Sequence, residues 1–121
     1  KGICEMKEID IKEFLKSYLV CERFLHSQKY AKEFFDPYDK QMVVEKQQYE
    51  ARMDGCESLI QLLEPSDEYT LLHLHYIKGV PVEKCAESMC VSTRTAYRLL
   101  SKGHKQIYDL VSKKEKGINN D

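Results

Sequence analysis

The sequence predicts an all-α protein, with a long N-terminal helical hairpin followed by a domain of shorter helices. Apolar residues recur every three or four positions along most of the chain, which is the spacing of one face of an α-helix. The first helical pattern contains no proline or glycine, and each of the chain's three prolines comes where a new helical pattern begins. A chain of 121 residues accommodates one domain, or one small domain with a helical extension.

Two long helices are predicted first. The first runs from Ile9 to about Phe35, which is long for a small domain. Its apolar residues are Ile11, Phe14, Leu15, Tyr18, Leu19, Leu25 and Phe34. The second runs from Pro37 to about Leu63, because Asp36 is a favourable N-cap and proline suits the first helical position.

The later part of the second helix carries an apolar seam with alternating spacings of four and three residues. The seam consists of Tyr49, Met53, Cys56, Ile60 and Leu63. It is compatible both with an intramolecular hairpin and with pairing to a second chain, so a homodimer is left open. Gly55 lies inside this pattern and weakens the helix by about 1 kcal/mol relative to alanine, so the helix can kink there.

Shorter helices are predicted after Pro65. One restarts at that proline and stops at Gly79, a second runs from Pro81 to Met89, and the last begins at Ser92, a favourable N-cap. The predicted organisation is a helical hairpin or oligomerisation element over residues 1–63, a helix-turn-helix domain over residues 64–116 and a disordered tail over residues 117–121.

The residues around Ala86 have the spacing of a helix-turn-helix motif, which needs a small residue where its two helices cross. Apolar residues are expected one position before Ala86 and three, five, ten and thirteen positions after it; these are Cys85, Met89, Val91, Ala96 and Leu99. The turn usually has glycine four positions after the small residue, where this chain has Cys90. A left-handed backbone at Cys90 is therefore expected, at a cost on the order of 1 kcal/mol.

The last helix has a cationic face. Residues 91–116 hold seven basic and two acidic residues, net +5, whereas residues 1–64 hold ten basic and thirteen acidic residues, net −3. At about 100° per residue, Arg94, Arg98, Lys102 and Lys105 lie within about 80° of one another, opposite the apolar residues of the same helix. We call these four residues the cationic stripe. A local basic field on a nearly neutral chain is typical of a region with an anionic partner.

A resemblance to a known family is carried by Leu71, Leu74, Tyr76, Gly79, Glu83, Ala86, Glu87, Val91, Ser92, Thr95, Tyr97 and Arg98. These residues resemble region 4 of sigma-70-type factors. They are more similar still to the sigma-region-4-like domain of the ArpU/RinA-like late transcriptional regulators of Firmicutes phages. The resemblance covers residues 66–110. It implies binding of double-stranded DNA and transcriptional control at a phage or prophage promoter, with RNA polymerase as a second candidate partner.

The candidate DNA-binding residues are Ser92, Thr93, Arg94, Thr95, Tyr97, Arg98, Lys102 and Lys105. A helix of this kind enters the major groove with its N-terminal residues at the base edges. Arg94 and Arg98 are expected at bases, because a guanidinium can bind guanine through two hydrogen bonds. Lys102 and Lys105 lie further along the helix and are expected to bind phosphates.

The remaining candidates flank the arginines. The hydroxyls of Ser92, Thr93 and Thr95 lie at the helix start and are expected to reach phosphate or base atoms. Tyr97 is expected either to touch a phosphate or a thymine methyl, or to pack against the neighbouring helix.

Two other functions fit the same pattern. A phage small terminase subunit also joins a helix-turn-helix to an oligomerising helical part. A sigma-like module could instead dock RNA polymerase or a sigma factor without binding DNA. A complete sigma factor is disfavoured, because the first 64 residues are acidic rather than basic and aromatic.

Other classes are not indicated. The chain has no nucleophile–base pair, phosphate-binding loop or metal-ligand spacing, so we expect no enzyme, cofactor or metal site. Its four histidines are interpreted as surface or core-edge residues rather than ligands. Five scattered cysteines without a CxxC pair are typical of reduced thiols in the cytoplasm. No apolar run approaches the roughly 18 residues of a membrane span, and the first ten residues lack a signal core.

Overall fold

The computed structural model describes residues 8–31 and 40–120, and within them the chain forms five α-helices and no strand. The helices are α1 (Glu8–Ala31), α2 (Lys40–Gln61), α3 (Asp67–Leu72), α4 (Val82–Met89) and α5 (Thr93–Asn120), and a π-helical turn over His73–Ile77 extends α3. The all-α prediction is confirmed. The predicted helix end at Phe35 and helix start at Pro37 lie outside the described residues. No helix in the described ranges is long and apolar enough to cross a membrane.

Helices α1 and α2 form an antiparallel hairpin. The Cys56 thiol donates to the carbonyl of Phe14 over 3.3 Å, and the ring centroid of Phe24 lies 4.3 Å from that of Tyr49. The residue numbers along α1 therefore increase in the direction in which those along α2 decrease, which makes the two helices antiparallel. Of the predicted seam, Cys56, Ile60 and Leu63 are buried and Tyr49 and Met53 are half-buried. The seam thus packs within the chain, which is the intramolecular arrangement of the two that the sequence allowed.

Gly55 serves this packing and does not interrupt the helix. Helix α2 continues through it, and a Cβ placed there would lie 3.2 Å from Cζ of Phe14. That distance is tighter than an ordinary carbon–carbon contact. The missing side chain therefore lets the Phe14 ring lie close to α2.

One apolar core spans both parts of the chain. Ile11 and Leu15 of α1, Leu71 of α3 and Ile107 of α5 are fully buried in the same cluster. Helix α1 also contacts α5 directly, so the hairpin helps to support the last helix. Independent folding of residues 64–116 stays a prediction. A fragment without the hairpin would expose the apolar side chains that α1 covers.

Two helix ends complete the description. Helix α5 is described through Asn120, and disorder of the tail over residues 117–121 stays a prediction. No proline stops the helix, and each residue added to an existing helix gains a backbone hydrogen bond. Helix α2 ends at Gln61, shortly before the predicted end at Leu63, and the next helix begins after Ser66. The Ser66 hydroxyl accepts a hydrogen bond from the Tyr69 amide over 3.1 Å and so caps α3.

Candidate nucleic-acid interface

A three-residue turn, residues 90–92, joins α4 to α5. Cys90 has φ 57° and ψ 41°, in the left-handed region. The Cys90 amide donates to the Glu87 carbonyl over 3.2 Å, and the Val91 amide donates to the Ala86 carbonyl over 3.0 Å. This pair of bonds is a Schellman motif, whose left-handed residue is usually glycine. The left-handed backbone expected at Cys90 is therefore present, and the cysteine side chain adds to its cost.

Small residues lie where α4 and α5 pack together. Ala86 on α4 and Ala96 on α5 are both buried, which lets the two helix backbones approach closely. The other apolar positions expected of the motif also face inward: Cys85 is buried, and Met89, Val91 and Leu99 pack against the core. Because this face of α5 is held inward, the cationic face of the same helix is held outward.

Ser92 caps the start of α5, as predicted. Its hydroxyl accepts a hydrogen bond from the Thr95 amide over 3.1 Å. The same hydroxyl donates to Oγ1 of Thr95 over 2.9 Å, which leaves the Thr95 hydroxyl proton available to another acceptor. Ser92 and Thr93 are exposed and Thr95 is half-exposed, so the three hydroxyls cluster around an accessible helix start.

Three residues of the cationic stripe are open to solvent and unpaired. Arg94, Arg98 and Lys105 are exposed, and no ion pair found among the described residues includes any of them. A guanidinium keeps its charge at any physiological pH and carries five donor hydrogens. Arg94 and Arg98 therefore present two unpaired, planar hydrogen-bonding groups, one helical turn apart, on one side of α5.

Lys102 differs from the rest of the stripe. Its ammonium lies 3.2 Å from Oε1 of Glu68 on α3, and the Glu68 side chain is only 8% exposed. Burial by itself would raise the pKa of Glu68, but hydrogen bonds from its backbone, Lys102 and Ser66 outweigh burial and lower that pKa. The carboxylate is therefore charged at neutral pH, and Lys102 is its partner.

Tyr97 contacts both solvent and the preceding helix. Its hydroxyl donates to Oε1 of Glu83 on α4 over 2.7 Å, while 46% of the residue remains exposed. This hydrogen bond lowers the pKa of the Glu83 carboxyl and raises the pKa of the Tyr97 hydroxyl. Contact with the neighbouring helix, one of the two expectations for Tyr97, is thus present through its hydroxyl, and the ring keeps an exposed face.

Behind the stripe, α5 is fixed to α3 and to the π-helical turn. A Cβ at Gly103 would lie 2.7 Å from Cδ1 of Leu72, so only glycine permits this approach without a shift of neighbouring atoms. The next residue, His104, is buried and shares a 2.7 Å hydrogen bond with the Tyr76 hydroxyl. Burial and the nearby positive charge of Lys12 lower the pKa of His104 to about 4.

Sequence reasoning missed Glu68 as a partner of the stripe, and it placed His104 at the surface or core edge rather than in the core. The correction for His104 follows from the close approach of α5 to α3, which covers the residues beside Gly103. Gly103 was the one feature of the sequence that could have indicated this burial. A glycine on the apolar face of a helix often marks a close contact with another element.

Comparison of the chain with family models, with curated proteins and with solved structures finds no significant match. Within residues 8–31 and 40–120, the structure brings together no group of three or more His, Cys, Asp or Glu that could hold a metal ion. The exposed face of α5, with the hydroxyls at its start, is the feature of the described chain whose chemistry best suits a ligand.

Proposed function

We propose that this chain is a sequence-specific DNA-binding transcriptional regulator, in which α4 and α5 form a helix-turn-helix and α5 enters the major groove. The observation that carries the proposal is the arrangement of α5. Its apolar face packs on the core, whereas Arg94 and Arg98 are exposed and have no acidic partner among the described residues. An anionic group of another molecule would neutralise the charges of Arg94 and Arg98.

The dimensions of α5 support the same proposal. A helix with its side chains is about 10–12 Å wide, and the major groove of B-DNA is about 12 Å wide. The start of α5 follows an exposed turn, so it can enter such a groove before the rest of the chain meets the DNA. Arg94 and Arg98 would then face base edges, where each guanidinium can bind guanine through two hydrogen bonds.

Phosphate contacts would surround this base-reading pair. The hydroxyls of Ser92, Thr93 and Thr95 and the first backbone amides of α5 suit a phosphate at the helix start. The exposed part of Tyr97 suits a phosphate or a thymine methyl, and Lys105 suits a phosphate further along the helix.

The biological setting is part of the proposal. The resemblance to sigma region 4 and to the phage late regulators supports a phage or prophage promoter as the target and a cytoplasmic site of action. It also supports RNA polymerase as a second partner. A homodimer on paired half-sites would suit such a regulator.

Selection of bound duplexes from a random library, with the full chain as bait, tests the proposal. We expect a defined sequence to be enriched, with an affinity that falls as salt rises. Arg98→Ala should weaken binding to that sequence by about 1–3 kcal/mol and relax the preference at one base pair. Arg23→Ala removes an exposed arginine from α1 and serves as the matched control.

Three results would contradict the assignment. Equal binding by the Arg98→Ala variant and the parent would remove the base-reading role of that residue. A ring-shaped oligomer that binds DNA would favour a terminase small subunit. Binding to RNA polymerase or a sigma factor, with no salt-sensitive affinity for DNA, would favour a docking module.

A further inference from the structure

Lys102 lies on the cationic stripe, but its ammonium is already held. The 3.2 Å contact joins a lysine whose side chain is 59% exposed to the carboxylate of Glu68, whose side chain is 8% exposed. The two partners therefore differ in their access to water. The ammonium of Lys102 can turn to solvent, whereas the carboxylate of Glu68 stays buried. If Lys102 moved to a phosphate, it would leave a buried carboxylate without its charged partner, which is strongly unfavourable.

The surroundings keep Glu68 in place. At the next position of α5, Gly103 brings the backbone against Leu72 and Glu68, and a Cβ placed on the glycine would lie 3.6 Å from the Cβ of Glu68. One residue further, His104 is bonded to Tyr76. Three consecutive residues of α5 are thus tied to α3 and its extension. The carboxylate lies at this contact, where the packed helices shield it from water.

We propose that Glu68 keeps Lys102 away from DNA phosphates and so limits the sequence-independent part of the affinity for DNA. This inference rests on the proposed DNA-binding function. It leaves Arg94, Arg98 and Lys105 as the stripe residues that meet DNA, and it replaces the phosphate contact expected of Lys102 from the sequence.

The consequence is a weaker affinity for DNA of any sequence and a shallower dependence of that affinity on salt. Phosphate contacts bind every sequence alike, whereas base contacts discriminate. The logarithm of the DNA-binding constant K falls linearly as the logarithm of the salt concentration rises. Each phosphate contact makes this slope steeper by about 0.9. By removing one such contact, Glu68 lowers the sequence-independent part of the affinity and leaves the base contacts of the arginines unchanged. Cognate and random affinities therefore fall by the same factor, and the ratio between them is unchanged.

Salt titrations of the full chain on cognate and random duplexes test this proposal. Lys102→Met keeps the length of the side chain and removes its charge, and we expect its salt dependence to match that of the parent. Glu68→Gln keeps the shape and removes the charge that holds Lys102. We expect the slope of log K against log salt to be steeper by about 0.9 in this variant than in the parent. Between about 50 and about 200 mM salt, its affinity for a random duplex should therefore fall by a factor roughly 3.5 times larger than the parent's.

Two further variants separate the release of Lys102 from a general change in net charge. In the double variant with both substitutions, the salt dependence should return to the parent value, because the released ammonium is absent. Glu50→Gln is the matched control, since it removes the carboxylate of an exposed pair with Lys46 on α2, whose atoms lie 3.9 Å apart. We expect this control to leave the salt dependence unchanged.

The outcomes separate this inference from the function on which it rests. If Lys102→Met flattens the salt dependence by about 0.9, Lys102 is a phosphate ligand and the inference is wrong. An unchanged slope in a folded Glu68→Gln variant also overturns it. If that variant does not fold, the Lys102→Met slope alone decides. A parent chain without salt-sensitive DNA affinity overturns the proposed function and this inference together.

Discussion

Charged residues are arranged differently on the hairpin and on α5. On α1 and α2, two lysines each lie one turn from a carboxylate of the same helix: Lys16 is 3.6 Å from Glu13, and Lys46 is 3.9 Å from Glu50. On α5, no acidic residue lies within one turn of Arg94 or Arg98. Exposed pairs of the first kind contribute little to stability, but they cancel charge locally. The comparison therefore separates a surface on which two lysines are paired within their own helix from one on which two arginines have no acidic neighbour along the helix.

The largest expected effect tests whether the two regions are independent. Leu15 of α1 is fully buried in the core that α5 shares, so Leu15→Ala should lower the free energy of unfolding by about 2–5 kcal/mol. Urea titration followed by circular dichroism measures this loss. Val20→Ala on the exposed side of α1 is the control and should change stability little.

The shape of that titration bears on the domain boundary. A single transition, shifted as a whole in the Leu15→Ala variant, would mean that the hairpin and the C-terminal helices unfold together. Two transitions, with only the first shifted by the substitution, would contradict a shared cooperative unit and support independent folding of residues 64–116.

The next effect concerns the buried side of α5. The folded chain binds a proton at His104 only near pH 4, whereas the unfolded chain binds it near the ordinary value of 6.5. Between these values the unfolded state holds more protons, so stability falls as pH falls, by up to about 3 kcal/mol over the whole window. The lowered pKa of Glu68 adds a loss in the same direction, confined to lower pH because that pKa lies below its ordinary 4.5.

Urea titrations between about pH 7 and about pH 5.5 isolate the part due to His104, because the loss due to Glu68 begins at lower pH. His104→Gln should flatten the pH dependence in this window, whatever its effect on stability at neutral pH. Val20→Ala, at an exposed position of α1, neither adds nor removes a titratable group and should keep the parent slope. A pH dependence in His104→Gln equal to that of the parent would show that another group is responsible.

A smaller effect sharpens the comparison within the stripe. Under the proposed function, Arg94→Ala should weaken binding to the cognate duplex by about 1–3 kcal/mol and to random duplexes by less, because it would remove a base contact. Lys105→Ala should weaken both duplexes alike and reduce the steepness of the salt dependence by about 0.9, because it removes a phosphate contact. Fluorescence anisotropy over a range of salt concentrations measures both. Loss of only cognate affinity in Lys105→Ala would contradict its assignment to phosphate.

The smallest expected effect concerns the turn. Cys90 has a left-handed backbone that glycine adopts more readily, so Cys90→Gly should stabilise the chain by about 0.5–1 kcal/mol after the larger entropy of the unfolded glycine is counted. Thermal melting measures the gain. Ser88→Gly, at an exposed position inside α4, should instead destabilise. A less stable Cys90→Gly variant would mean that the cysteine side chain contributes more to the turn than its backbone strain costs.

Local features were predicted well from the sequence. Helical spacing identified the buried seam of α2 and the outward cationic face of α5. The serine before α5 identified its N-cap, and the position of Cys90 in the motif identified a left-handed turn. Each of these depends on residues within a few positions of one another, where backbone geometry leaves few alternatives. Glu68 and His104 could not be placed in this way, because their partners lie far away in the sequence.

The sequence by itself therefore determined which segments of this protein form helices and which side of each helix is apolar, since those properties follow from the period of the helix. Only the tertiary structure decided that α1 covers the seam of α2, that His104 is buried against Tyr76 and that Lys102 is held by Glu68. These contacts depend on how closely and at what angle the helices cross. That geometry is set by the fit of many side chains at once, and no local spacing contains it.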